Sequence, residues 1–275
     1  LADLVDGAVL LFLGGHEHEH ATAYIDGTVI AKADANAKSV YIHRVTYYPA
    51  TEVARVRSTL QVIDDRIPFE PATQRVVAKW RDLGTRLIKE MGYDAARQLM
   101  TLQAPLIGNE QIVRNEPTNY GILTAEAMRA AWPGADLYLF GSGGLRLDDQ
   151  LVGTVTVYDV LRSFPFGGPV VRATLPGRAV AQLLETGLVT NRGSGGYLQQ
   201  IQAQRLGDRW FVNDQPLAPD RQYEIVIPKF IMDGKEVNLE FLADYPYENP
   251  PTLEGNGQAV KNDIRDIVIS YMEAQ

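Results

Sequence analysis

The sequence predicts an α/β fold, of the α+β kind with mixed sheets and packed helices, on three observations. Short β-rich runs fill the first 50 residues, a helical stretch with an apolar stripe covers 70–92, and from about 104 buried strands alternate with helices. At 275 residues the chain is long enough for a full core, and for one domain plus part of another. The expected organisation is a β-rich portion over 1–50, a linker with a long connecting helix over 51–103, and a second domain over 104–275.

Residues 8–13 form a short apolar run ended by Gly14-Gly15, which reads as a buried strand. Ala23 to Ile25 and Thr28 to Ala31 flank Asp26-Gly27, a pair that supplies the positive φ of a hairpin turn. Val40 to Tyr48 is rich in β-formers and stops at Pro49. Val76, Val77, Trp80, Leu83, Leu87, Ile88 and Met91 recur at helical spacing, with Pro71 suited to a first turn and Gly92 to an end. Thr118 or Asn119 can cap a helix reaching Ala131, which Trp132-Pro133-Gly134 terminates. Leu137 to Phe140, Thr154 to Val160, Val170 to Leu175 and Tyr223 to Ile227 read as strands, while Arg178 to Leu188 and Lys261 to Met272 read as helices.

Composition narrows the function classes. A formal charge of −8 leaves no basic stripe to neutralise a phosphate backbone, which excludes a nucleic-acid polymer as partner but not one small anion in a local arginine pocket. There is no cysteine, so disulfides, thiolate metal sites and cysteine nucleophiles are excluded. The apolar run at 8–13 is far shorter than the roughly 20 residues a membrane span needs, and lacks the basic flank of a signal peptide. Opening on Leu1 rather than Met, directly into structured-looking sequence, suggests a portion upstream.

Four segments carry chemistry. Gly14-Gly15-His16-Glu17-His18 places two imidazoles at i and i+2 on a glycine-opened strand exit, and neutral imidazole suits zinc- or manganese-type ions. Two histidines do not close such a site, and an exposed His-rich turn is the competing reading. His20 has a weaker claim, and His43 inside a β run reads as structural. Gly141-Ser142-Gly143-Gly144-Leu145-Arg146 follows a strand; its amides can form an anion-binding concavity to which Arg146 adds a permanent charge, or it is a tight structural turn. Ser163-Phe164-Pro165-Phe166-Gly167-Gly168 and Ile227-Pro228-Lys229-Phe230 set aromatic rings on loops, where two could sandwich a planar base or simply pack the core.

In their order these segments resemble one family. The G-G-H-x-H strand exit is similar to the last metal-ligand motif of calcineurin-like metallophosphatase domains. Arg114, then Gly121-Ile122-Leu123, then the glycine loop, the Phe-Pro-Phe-Gly-Gly loop and Pro-Lys-Phe resemble the C-terminal domain of 5′-nucleotidases and UDP-sugar hydrolases. The likeness covers residues 8–48 and 104–275. It implies a metallophosphatase remnant over 1–50, a complete nucleotidase C-terminal domain over 104–275, and a parent enzyme that hydrolyses nucleoside phosphates with two divalent ions. His16 and His18 would each be one metal ligand. Phe166 and Phe230 would stack on the base, Arg114 and Arg146 would hold the phosphate or ribose side, and Glu236 would accept ribose hydroxyls. The expected partners are a small nucleotide or other phosphate ester and the metallophosphatase domain, and the family analogy implies a periplasmic or extracellular location.

The chain also departs from the family pattern. The family's earlier metal motifs are absent, so the isolated chain is expected to be inactive. The glycine loop begins with Gly141 where the family usually has Asn. G-N-L is Gly121-Ile122-Leu123, and G-G-D-G-[FY] is Gly234-Lys235-Glu236-Val237-Asn238. These departures keep a second reading open: a non-catalytic nucleoside- or partner-binding module.

Overall fold

A computed structural model describes residues 9–16, 18–255 and 257–275. The start of the expected first strand at Ala8, and Glu17 between the two histidines, lie outside the described residues. The chain divides into two compact units, Leu1–Asp82 and Leu83–Gln275.

In the first unit β1 (Leu11–Leu13), β2 (Ala21–Ile25) and β3 (Thr28–Lys32) form a sheet of order β1-β3-β2. The β2–β3 hairpin turns at Asp26 (φ 47°) and Gly27 (φ 84°), as the Asp-Gly pair requires. β4 (Ser39–Tyr48) pairs antiparallel with β5 (Val53–Val62) from end to end. Val53–Val62 was expected within a linker; it is a strand because its register with β4 alternates Val56 and Leu60 on one face with Arg55, Arg57 and Thr59 on the other. Helix α1 (Pro71–Glu90) starts where the Glu70 carboxylate accepts the amides of Ala72 (2.9 Å) and Thr73 (2.6 Å). No helix among the described residues is long and apolar enough to cross a membrane.

The second unit opens with β6 (Gln98–Thr101), β7 (Leu106–Ile107), α2 (Glu110–Val113) and α3 (Asn119–Ala131), the last capped by the Thr118 hydroxyl accepting the Gly121 amide. β8 (Leu137–Gly141) leads through a 3₁₀ turn at Ser142–Gly144 to β9 (Gln150–Leu151) and β10 (Thr154–Thr156). The run Thr154 to Val160, expected as one strand, breaks after Thr156. There a capping box between Thr156 and Asp159 starts α4 (Val157–Ser163), overriding the β preference of its valines. β11 (Val170–Pro176) and α5 (Gly177–Glu185) follow. Then come β12 (Leu198–Ile201), β13 (Ala203–Leu206), β14 (Arg209–Val212), β15 (Gln215–Pro216) and β16 (Gln222–Pro228). The chain ends with α6 (Lys229–Met232), β17 (Tyr247–Glu248), the hairpin β18 (Thr252–Gly255) and β19 (Gln258–Lys261), and α7 (Ile264–Glu273). The last helix begins at Ile264 rather than Lys261, because Lys261 is paired in β19 and Asp263 supplies the cap.

A mixed sheet of order β12-β8-β16-β11-β17 is the centre of this unit. Only β8 and β16 run parallel; the remaining neighbours are antiparallel. Side chains alternate across it. Tyr138, Phe140, Val170 and Val226 pack with α3, α4 and α7, whereas Leu137, Leu139, Ile225 and Ile227 pack with α5 and α6. The fold is therefore three-layered and mixed α/β, which agrees with the predicted class.

Candidate functional site

The strand order gathers the chemistry-bearing segments at one end of the sheet. β8 and β16 are parallel, so the glycine loop after Gly141 and helix α6 after Pro228 leave the same edge. β11 and β12 are antiparallel to them, so the Phe-Pro-Phe-Gly-Gly loop and residues 191–197 enter at that edge. Val170 pairs with Pro228, and the Lys229 amide donates to the Pro169 carbonyl at 2.9 Å. The two aromatic loops thus rise from adjacent strand ends.

The glycine loop is a structural turn rather than an amide cradle. Ser142 N–H donates to Tyr197 O, Gly143 N–H to Gly195 O, Leu145 N–H to Ser142 O and Arg146 N–H to Ser163 O, all at 2.8–3.0 Å. Those donors are spent, which leaves the exposed Arg146 side chain as the loop's means of holding an anion. The partner loop repeats its sequence: Gly193-Ser194-Gly195-Gly196 faces Gly141-Ser142-Gly143-Gly144. A Cβ on Gly143 would sit 3.0 Å from Gly195 Cα, so two glycine backbones pack directly. This second Gly-Ser-Gly-Gly was the available signal for the partner loop, and motif reading passed over it. The Gly193 amide donates to the Arg114 carbonyl at 2.7 Å, and the half-buried Arg114 guanidinium pairs with Glu110.

The two Phe-Pro-Phe rings divide their tasks. Phe164 is buried, with T-shaped contacts to Tyr120 and Phe140 at centroid distances of 5.6 Å each. Phe166 is 74% exposed and Phe230 55%, which leaves both rings available to a ligand. The Phe166 arm is tied down from 95 residues away: Gly168 N–H donates to Asp263 Oδ2 (3.2 Å), and Asn262 exchanges two bonds of 2.9 Å with the backbone of Val170. Gly167 (φ 57°) lies so close to Arg265 that a Cβ there would be 2.4 Å from its Cζ. None of this anchoring was legible as a motif.

The Phe230 side has its own clamp. Lys229 Nζ donates to both oxygens of Asp233 (2.8 and 2.7 Å), across the single turn of α6, and Tyr247 O–H donates to Oδ1 (2.7 Å). The Lys229 bond foremost, with Tyr247 and Lys235 outweighing burial, holds the Asp233 carboxyl at about 2 instead of 3.8. A lowered carboxyl stabilises the fold fully above its ordinary range and loses that contribution as pH falls toward 2. Asp233→Asn is therefore expected to cost about 1–2 kcal/mol at pH 7, allowing for solvent screening. Unfolding curves should show the gap from wild type closing near pH 2.5; a gap unchanged between pH 7 and 2.5 would contradict this role.

Glu236 is half-buried on the loop after α6; its Oε1 accepts the Val237 amide (3.1 Å) and lies 3.0 Å from where a Gly196 Cβ would be. Arg114, Arg146, Phe166 and Glu236, on loops, and Phe230, in the short helix α6, therefore converge at one sheet end. The sequence profile of the 5′-nucleotidase C-terminal domain matches residues 100–243, just over half of the chain. The chain belongs to the 5′-nucleotidase C-terminal domain family.

Relatives of this 5′-nucleotidase-type chain agree. It is 26% identical over 212 residues to the trifunctional nucleotide phosphoesterase YfkN of Bacillus subtilis, covering 73% of this chain and 14% of that protein. It is 31% identical over 137 residues to UshA of Yersinia enterocolitica, covering 47% of this chain and 24% of that one. The crystal structure of a 5′-nucleotidase precursor from Thermus thermophilus superposes with a TM-score of 0.68 at 18% identity, over 95% of this chain and 54% of that one. A T. thermophilus sulfate thiohydrolase, SoxB, superposes at 0.63 with 14% identity, covering 96% of this chain and 47% of that one; the shared fold alone thus selects no substrate. The chain spans a quarter or less of the length of these curated relatives and about half of these solved structures.

The expected metal ligands lie in the first unit. His16 (φ 79°) and His18 are both exposed, on the loop after β1. His20 is engaged by Asp34, its Nδ1 3.1 Å from Oδ1. A hydrogen bond from Ser39 foremost, with the His20 contacts, holds that carboxyl at about 2. Two imidazoles fit part of a metal site and not a whole one, since even a catalytic zinc takes three protein ligands.

Proposed function

We propose that this chain is the substrate-binding part of a metal-dependent phosphohydrolase acting on nucleoside phosphates, by phosphomonoester or nucleotide-sugar hydrolysis. The observation that carries the proposal is the pair of exposed rings, Phe166 and Phe230, on adjacent strand ends beside Arg146. The rings sandwich the base, Arg114 and Arg146 hold the phosphate or ribose side, and Glu236 accepts ribose hydroxyls. Residues 1–50 are the remnant of a metallophosphatase domain in which His16 and His18 each supply one ligand to a divalent ion of zinc or manganese type. Water activation by those ions belongs to the whole protein, and the isolated chain is not a catalyst. A periplasmic or extracellular location goes with this reading, supported by the description of the Thermus relative as a precursor; fractionation of cells tests it.

Calorimetry with adenosine, AMP and a UDP-sugar tests the site. Each of Phe166→Ala and Phe230→Ala is expected to remove about 1–3 kcal/mol of stacking, weakening binding by roughly 5- to 150-fold. The same protein, supplied with zinc or manganese, should release no phosphate from AMP; metal-dependent turnover would refute the claim that the chain alone is inactive. A chain that binds none of the three ligands sinks the nucleoside reading. It would favour the second one, a non-catalytic module with another ligand, whose support is that the glycine loop spends its amides internally.

A further inference from the structure

We propose that Asn191 is the positioning residue that holds Glu236 at the sugar end of the site, and that it thereby sets discrimination between ribose and 2′-deoxyribose. The inference rests on the nucleoside reading above and goes beyond it to a residue that no motif contains.

Asn191 is 3% exposed, one residue removed from the Gly-Ser-Gly-Gly partner loop. Its amide is used at both ends. Nδ2 donates to Val237 O (2.9 Å) and Gly196 O (3.3 Å), and Oδ1 accepts from Asn238 Nδ2 (2.8 Å). Val237 is thus tied twice: its carbonyl to Asn191, and its amide to Glu236 Oε1 at 3.1 Å. The carboxylate is held by the residue that Asn191 holds. Gly196 permits the convergence, since a Cβ there would lie 2.6 Å from Asn191 Nδ2 and 3.0 Å from Glu236 Oε1. Asn238 sits at φ 63°, a conformation that fixes the loop's reversal beside the strut.

The chemistry requires an asparagine. The position must donate to two carbonyls and accept from an amide; Asp lacks the donors and Leu lacks both. With Oε1 turned onto the loop's own backbone, Oε2 has no protein donor among the described residues, which leaves an anionic acceptor for a hydroxyl. A carboxylate so pinned at the 2′ position distinguishes a sugar with a 2′-hydroxyl from one without, because the charge-assisted bond to that hydroxyl is made only by the former. A glutamate on an untethered loop would swing with the ligand and lose the distinction.

The experiment is calorimetry on the full chain with adenosine and 2′-deoxyadenosine, for wild type, Asn191→Asp and Asn238→Gly. Asn191→Asp keeps the side-chain shape but removes the donors. Asn238→Gly tolerates the positive φ and leaves Asn191 in place, so it folds even where the first variant does not. Wild type is expected to bind adenosine about tenfold more tightly than 2′-deoxyadenosine. In each folded variant that ratio should fall to about one, with affinity for 2′-deoxyadenosine changed by less than about twofold. A merely structural role would weaken both ligands together and leave the ratio standing, which would overturn the inference while the nucleoside reading survives. A wild-type ratio near one overturns it as well. Failure of the wild type to bind either nucleoside would instead bring down the nucleoside reading, and this inference with it.

Discussion

Replacing Gln199 with leucine is expected to lower the stability of the second unit by about 4 kcal/mol, at about 1–3 kcal/mol for each buried group left without a partner. Gln199 is fully buried on β12, and its amide takes the place of backbone pairing for a neighbouring segment. Oε1 accepts the Thr118 amide (2.9 Å), while Nε2 donates to Val113 O (2.7 Å) and Glu116 O (2.8 Å). These three groups bracket Arg114, so the same side chain that secures the start of α3 also fixes the segment carrying a candidate phosphate ligand. At about 2–4 °C per kcal/mol for a unit of this size, the midpoint should fall by roughly 10 °C in thermal unfolding. Gly121→Ala should behave similarly, since its Cβ would lie 2.1 Å from Gln199 Oε1, a side chain with three bonds preventing retreat. A Gln199→Leu midpoint within about 2 °C of wild type would show that water replaces the lost partners, and would remove Gln199 as the support of Arg114.

Asp263→Ala is expected to be comparably damaging, at about 3 kcal/mol, because it strands a half-buried guanidinium and leaves the Gly168 and Arg265 amides without their acceptor. One Asp263 carboxylate caps α7 through the Arg265 amide (3.0 Å) and grips the Arg265 side chain at 2.8 and 2.7 Å. It also accepts the Gly168 amide in the Phe166 arm. Burial pushes the carboxyl up, but the Arg265 and Gly168 bonds outweigh it and hold it below its ordinary value. Its contribution is therefore present above the ordinary carboxylate range and is lost as pH falls below it. Asp263→Asn, which keeps Oδ1 as the acceptor for the cap but turns a donor toward Gly168, should cost less than the alanine variant. Denaturant unfolding at pH 7 separates the cases; equal and small losses in both variants would mean the ion pair does not hold the arm. If it does hold the arm, Asp263→Ala should also weaken adenosine binding beyond what its lower stability explains.

Much of the local structure was present in the order of residues. Asp26-Gly27 specified a hairpin, the spacing from Val76 to Met91 specified α1, and Thr118 specified the start of α3, because caps, turns and apolar periodicity act within a few residues. The succession of glycine loop, Phe-Pro-Phe-Gly-Gly and Pro-Lys-Phe was enough to name the family. Where two local preferences competed, the reading failed: β-branched residues between Thr154 and Val160 masked a capping box, and the arginine-rich run at Val53–Val62 passed for linker until its partner strand was known.

Tertiary structure alone decided the rest. Parallel β8 and β16 with antiparallel β11 and β12 bring the candidate ligand contacts to one sheet end, and no local preference encodes that order. Four of the glycine loop's amides are spent internally, on Gly195 and Tyr197 about fifty residues away, on Ser163 and on the loop's own Ser142, so the expected anion cradle reduces to one arginine side chain. Gln199, Asn191 and Asp263 look unremarkable in sequence. Each matters because the fold carries it, buried, to backbone groups far along the chain, where an unmet hydrogen bond is costly.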